Sequence, residues 1–184
     1  MAITTSDILF KYATTAGSAG NSQAQGNPNN SLGKYISTTQ WPDATLNGLY
    51  DDVSGDENAA STIDYRCVFV HNNHGSLTLT DPKLWISSEV AGGTSIAIGI
   101  DTTAASAVGN SSAQALTIAN ETTAPAGVSF SSPTSKGAGL SLGHIPVGER
   151  QGAPNPVQVG GAGHRWQELQ NLMAPSGGQH HRQL

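Results

Sequence analysis

The stretch DDVSGDEN at 51–58 places Asp51, Asp52, Asp56 and Glu57 around Gly55. Carboxylates on a flexible loop are the donors that a hard cation such as Ca2+ takes. Their spacing is not that of an EF-hand loop, so a solvated turn is expected, with a calcium site as the minor alternative. His71 and His74 stand close enough in sequence to share a metal, but Asn72 and Asn73 between them read as turn residues, and no metal is assigned. His180 and His181 lie in a polar tail, where weak adventitious metal capture is the most they offer. Glu89 and Asp101 would make a glycosidase pair only if the fold brought them together. No G-x-S-x-G elbow, H-E-x-x-H pair, P-loop or G-x-G-x-x-G is present. No catalytic residue and no cofactor is therefore expected, and the chain reads as a non-enzyme.

Cys67 is the only cysteine, which rules out an intrachain disulfide and a cysteine-based zinc site. Within a strand-like run it reads as a small buried apolar residue. Trp41, Trp85 and Trp166 can serve as core anchors, subunit contacts or sugar platforms. Core or interface is the expected role.

The elements that would position these residues are mostly strands. In IDYRCVFVHN, Ile63, Tyr65, Cys67 and Phe69 share one parity while Asp64 and Arg66 share the other. Val68 and Val70 make the second face apolar too, as in a central strand covered on both sides. Residues 72–75 supply a turn, and Leu77 and Leu79 alternate with Thr78 and Thr80, which predicts a hairpin. Pro82 interrupts the ladder before Leu84, Trp85 and Ile86 resume it. Ile96, Ile98 and Ile100 alternate with Ala97 and Gly99 in another strand, and shorter ones are expected at 116–119, 128–130 and 140–142. The expected anchors of the core or of an interface are Tyr65, Phe69, Leu77, Leu79, Trp85, Ile96, Ile98 and Ile100.

Composition agrees with a β-rich chain. Charged residues make up 11% and 22 glycines are present, so little material remains for solvated helices. Thirteen acidic residues against eight basic ones, with no basic cluster, argue against nucleic acid as a partner. No run approaches the roughly 18 apolar residues of a membrane span, and MAITTSDILFKY lacks the features of a signal peptide. Residues 13–33 hold almost nothing to bury and read as a long loop or arm, ordered on a partner. A short extended piece around Tyr35, Ile36 and Trp41 follows, then an irregular segment to about 61. Residues 151–184 form a Gly-, Pro- and His-rich tail without alternation, in which 164–173 can make a short helix.

The pattern YRCVFVHNNHGSLTLTDPKLWI, with Tyr65, Arg66, Phe69, Asn72, Leu77, Leu79, Lys83, Trp85 and Ile86, resembles virion proteins of tailed bacteriophages. The similarity continues more loosely through IAIGID at 96–101, VSF at 128–130 and GLSLGHIPVGER at 139–150. It covers roughly half of the chain, and its motifs are packing and turn patterns, not a chemical signature. The resemblance implies a head, head-decoration, neck or tail component, assembled in the host cytoplasm and carried in the virion. Proteins of this look would continue after the Ile-Pro-x-Gly turn with a strongly alternating apolar strand, where this chain has QGAPNPVQVGGAGHRWQ. Closure of the sheet is left open there: the tail can pack differently, swap onto a neighbour or be locally divergent.

The expected whole is an all-β protein, a β-sandwich or jelly-roll-like barrel at 61–150, preceded by a strand and polar arm at 1–60 and followed by the irregular tail. The expected function is a capsid decoration or cement protein. A neck, tail, baseplate or host-attachment component is the alternative, and a carbohydrate-binding module is the alternative of another class. The expected partners are the major capsid protein or neck and tail proteins. No charge lies within 94–100, so that strand at a sheet edge would pair readily with another chain. A homo-oligomer, as a trimer, is expected on that ground, against a monomer whose loops cover its own edges.

Overall fold

A computed structural model describes residues 2–17, 23–42, 45, 47–87, 95–101 and 114–147, together with the backbone of Asn155–Ala162. Its main feature is a five-stranded antiparallel sheet built from β1 (Ile8–Thr14), β2 (Tyr35–Gln40), β3 (Asp64–Asn72), β5 (Ser95–Ile100) and β7 (Asn155–Ala162). The strand order is β2-β1-β3-β7-β5, and a two-stranded ribbon pairs β4 (Lys83–Leu84) with β6 (Leu140–Ser141). The described residues are thus mostly β with little helix. The one α-helix among the described residues, α1 (Gly55–Ala60), is a single capped turn and a half.

β3 is the central strand that its pattern predicts, and every residue from Arg66 to Asn72 is buried. Val68 and Val70 join Ile8, Tyr12, Ile96 and Ile98 on one face, under Leu79, Leu84, Ile86, Leu142 and Ile145 from the ribbon and its flanks. Cys67 and Phe69 join Ala13 and Ile36 on the other face, under Ala115 and Ile118. Each fully buried side chain of this size contributes about 1.5–3 kcal/mol, which makes the two-sided strand the centre of stability.

Several expectations need correction. No hairpin follows β3: the chain leaves the sheet after Asn72, and Leu79 forms an isolated bridge with Ile145. Leu79 is buried, but Leu77 is 39% exposed and lies outside the core. The alternation at 77–80 records one buried residue above the sheet, where a strand within it was expected. Tyr65, Trp85 and Ile100 are half-buried, while Phe69, Ile96 and Ile98 are core as expected. Residues 116–119 and 128–130 form no strand, although Ser131 bridges to Ile98.

The sheet also reaches beyond 61–150 on both sides. β7 lies inside the stretch expected to be an irregular tail, and it fills the slot between β3 and β5. Cys67 stands opposite Gln158, and Ile98 opposite Val159. Pro156, whose missing N–H would break a ladder, sits in register beyond the last residue of β5. The weak alternation of NPVQVGGA hid this strand, because its place in the middle of the sheet is set by the neighbours it pairs with. The helix expected at 164–173 and Trp166, His180 and His181 lie outside the described residues.

The polar stretch 13–33 is tied to the sheet at both ends, while 15–17 and most of 23–30 are exposed. Ala13 and Thr14 belong to β1, and Ser31 and Gly33 are buried. Ala13 N–H donates to Ser31 Oγ (2.9 Å), Ser31 Oγ donates to the Cys67 carbonyl (2.6 Å), and Cys67 N–H donates to the Ser31 carbonyl (2.7 Å). Ser31 thereby continues the ladder just past the last β1–β3 pair, Tyr12 with Val68. Residues 31–34 then run beside 114–118, with Ile118 N–H on the Leu32 carbonyl and Gln114 N–H on the Lys34 carbonyl. Gly33 has a φ of +92°, and a Cβ there would collide with the Leu116 carbonyl oxygen.

Both sheet edges are occupied by the chain itself. On β5, Ile98 exchanges two backbone hydrogen bonds with Ser131 (2.8 and 3.0 Å), and Ser132 Oγ donates to the Ile96 carbonyl. On β2, Ile36 N–H donates to Gln114 Oε1 (3.1 Å) and Thr38 N–H to the Gln23 carbonyl (2.8 Å). The uncharged edge that was expected to invite a second chain is therefore already engaged by residues 131–132.

Candidate functional site

The strongest convergence of charge among the described residues surrounds Arg66, which sequence parity had placed on the polar face of β3. Arg66 is wholly buried. Its two terminal nitrogens donate to the Tyr65 carbonyl (3.0 Å), Asn29 Oδ1 (3.0 Å) and Glu121 Oε2 (2.8 Å). The guanidinium carbon lies 5.3 Å from the centroid of the Tyr50 ring, and Nε finds no acceptor among the described residues. Asn29 comes from the 3-10 turn Pro28–Asn30, whose N-cap Asn27 accepts from Asn29 N–H, and Asn29 Nδ2 also reaches Asp51 (3.3 Å). Tyr50 and Glu121 come from two further irregular segments, so a single cation joins three of them to the central strand.

The electrostatics follow from burial. Desolvation pushes the half-buried Asp64 carboxyl up, an effect that Arg66 opposes and that Glu121, Asp51 and Glu57 reinforce. Desolvation likewise drives the Tyr50 hydroxyl far up, against the pull of Arg66. The Cys67 thiol is raised well above its ordinary value by burial and, secondarily, by Asp101, so it stays protonated and behaves as the buried apolar residue expected. Arg66, packed against Tyr50 and bonded to Glu121, is a fixed charge that holds segments together.

The acidic loop 51–58 is resolved into different roles. Ser54 caps α1: its Oγ accepts from Glu57 N–H (3.2 Å), and the Glu57 carboxylate accepts from Ser54 N–H (2.7 Å), a reciprocal capping box. Those bonds hold the Glu57 carboxyl below its usual range. Asp51 and Asp52 are exposed, and Asp56 lies in the first helical turn, where a negative charge suits the exposed backbone N–H groups. Among the described residues, no group of three or more His, Cys, Asp or Glu side chains is placed to hold a metal. Of the four carboxylates, Glu57 is taken up by the helix cap.

The remaining candidates separate. His71 is buried within β3, and His74 Nδ1 accepts from the backbone N–H groups of Ser76 (3.1 Å) and Leu77 (3.0 Å). Asp101 accepts from Leu116 N–H (2.5 Å), and Glu89 lies outside the described residues. Trp41 is half-buried and packs edge-on to Phe10, with ring centroids 5.9 Å apart. Trp85 is half-buried between Leu84 and Ile86, which are both buried. No helix of the described residues is long and apolar enough to cross a membrane.

Sequence reasoning missed Arg66 as a hub. An arginine flanked by Tyr65 and Cys67 in an apolar strand was the available signal, but its partners Asn29 and Glu121 lie 37 and 55 residues away. Compared with family models, curated proteins and solved structures, the chain matches none.

Proposed function

We propose that the chain is a non-enzymatic structural component of a tailed-bacteriophage particle, a decoration protein that sits on the capsid shell and clamps adjacent subunits. The observation that supports it most is where the residues of the phage-like pattern lie. Arg66 ties irregular segments to the sheet, Phe69 is core, Asn72 and Leu79 fix the ribbon, and Lys83 begins β4. A pattern spent on framework is a pattern of fold, and fold is what a coat component must keep. Low charge and extended polar segments held by side-chain bonds suit a protein that presents broad, nearly neutral surfaces to neighbours.

The finer architecture proposed is a sandwich-like one, with the β4–β6 ribbon and its flanks forming a second layer over the five-stranded sheet. The proposal keeps the homotrimer, built on faces and loops, since the chain's own residues engage the sheet edges. Neck, tail or baseplate placement is the second reading, and it shares the same framework argument.

Quantitative mass spectrometry of purified particles separates the two. A decoration protein approaches the copy number of the major capsid subunit, whereas a neck or tail component is present in far fewer copies. Absence of the chain from purified particles would defeat both. Sedimentation of the free chain tests the trimer, and a strict monomer in solution and on the particle would remove it.

A further inference from the structure

The residues after β3 are held by two imidazoles used in the same way. Asn72 forms the hub: its Nδ2 donates to the carbonyls of Leu77 (2.8 Å), Ile145 (3.0 Å) and Pro146 (3.2 Å), and its Oδ1 accepts from His74 N–H (3.1 Å). Around it the turn closes on His74, whose Nδ1 accepts from both Ser76 and Leu77 N–H. Leu79 and Ile145 exchange two backbone bonds of 2.9 Å, and beyond them Asp81 N–H donates to His144 Nδ1 (3.3 Å). Leu142 N–H then reaches the Pro82 carbonyl (3.0 Å), and Ser141 Oγ donates to Asp81. One histidine therefore stands on each side of the Leu79–Ile145 bridge.

All three donors to these nitrogens are backbone N–H groups, so both Nδ1 atoms carry a lone pair and neither can hold a proton while the bonds last. We propose that His74 and His144 form an acid-sensitive latch that keeps residues 73–84 closed on 140–146 when neutral and releases them when protonated. A protonated Nδ1 would face two backbone donors at His74 and one at His144, turning three attractions into repulsions. Beneath the latch lie Leu79 and Ile145, both buried, so release uncovers one apolar face of the sheet.

The charged groups around each imidazole set how readily it protonates. Asp7, from the 3-10 turn Thr5–Asp7 before β1, acts on His74, and the Asp7 carbonyl also accepts from Asn73 N–H (2.7 Å). Asp81 acts on His144, and Lys83 pairs with Asp81 at 3.3 Å. Because the closed form needs both Nδ1 lone pairs, acidification is what opens it.

Site-resolved hydrogen exchange on the full chain, corrected for intrinsic rates and compared at about pH 7.5 and about pH 5, tests this. The protection of the Ser76, Leu77, Leu79 and Asp81 amides should fall by about tenfold or more at the lower pH, while that of Val68 in β3 holds. His74→Asn and His144→Asn place an Oδ1 where Nδ1 stood and cannot titrate, so the double variant should keep its protection. Unchanged protection in the wild type, equal loss throughout the sheet, or the same local loss in the double variant would overturn the latch. If the double variant fails to fold, imidazole nitrogen shifts of the wild type decide: an Nδ1 proton on either histidine at about pH 7.5 would overturn it as well.

Discussion

Ser31 bridges Ala13 and Cys67 as though it were a residue of a strand between them: its hydroxyl serves the N–H of one and the carbonyl of the other, and its own carbonyl takes the Cys67 N–H. Ser31→Ala removes the hydroxyl and leaves the Ala13 N–H buried without an acceptor. The expected loss is about 1–3 kcal/mol in urea-induced unfolding, with the m-value unchanged. A variant as stable as the wild type would mean that Ser31 only fills space.

The Arg66 hub makes an asymmetric prediction. Removing the cation by Arg66→Ala leaves Asn29 and Glu121 without their donor, opens a void beside Tyr50, and should cost about 3–5 kcal/mol. Glu121 is 45% exposed, so Glu121→Gln retains a screened hydrogen bond and should cost about 1 kcal/mol or less. Equal losses from the two substitutions would contradict the fixed-charge role. Thermal unfolding of both variants with the double variant supplies the comparison.

At Gly33 the backbone and its surroundings both demand glycine. Gly33→Ala must place a Cβ against the Leu116 carbonyl and hold a left-handed φ, so a loss of about 3 kcal/mol or a failure to fold is expected. Gly127 shares the positive φ but has open space around its Cα. Gly127→Ala should therefore cost only about 1 kcal/mol. Similar losses at both glycines, by chemical denaturation, would mean that 31–34 does not pack on 114–118.

Phe69→Ala and Leu79→Ala each empty a fully buried site and should cost about 2–5 kcal/mol. Leu77→Ala, at an exposed position, should stay within about 0.5 kcal/mol. This contrast tests the ribbon over the sheet directly, because a β3 hairpin containing both leucines would make them more nearly equal.

A separate acid effect belongs to Asp81. Hydrogen bonds from Ser141 and Lys83 hold the Asp81 carboxyl below its usual value. A depressed carboxyl stabilises the fold above its unfolded pKa, about 3.9 for aspartate, and that stability is lost as pH falls through the folded value. Asp81→Asn should therefore flatten the stability of the ribbon below about pH 4 and leave the release at His74 in place. Loss of the release at His74 in that variant would tie it to Asp81 instead of the imidazole.

What could be read from the chain divides along physical lines. β3 and β5 were legible because their apolar alternation records burial against facing layers, and β2 from its Tyr35–Ile36 start. β7 was not, because Gly160 and Gly161 carry no pattern and its position depends on Arg66, Cys67 and Ile98 opposite. The packing of 31–34 was hidden for a related reason: serine and glutamine can satisfy buried backbone groups, as Ser31 and Gln114 do, so a polar segment need not be a loose one. The acidic loop was seen, but the Ser54–Glu57 capping box within it was not. Arg66 stood in plain view, and only the fold brings Asn29, Tyr50 and Glu121 to it.

The proposed role is that of a framework protein in a virion. Cryo-electron microscopy of intact particles carrying it is the most direct test. The reconstruction should show many symmetry-related copies seated on the shell, each with the β2-β1-β3-β7-β5 sheet and each touching at least two capsid subunits. Particles in which no density fits this sheet, or in which the chain is missing altogether, would contradict the proposal.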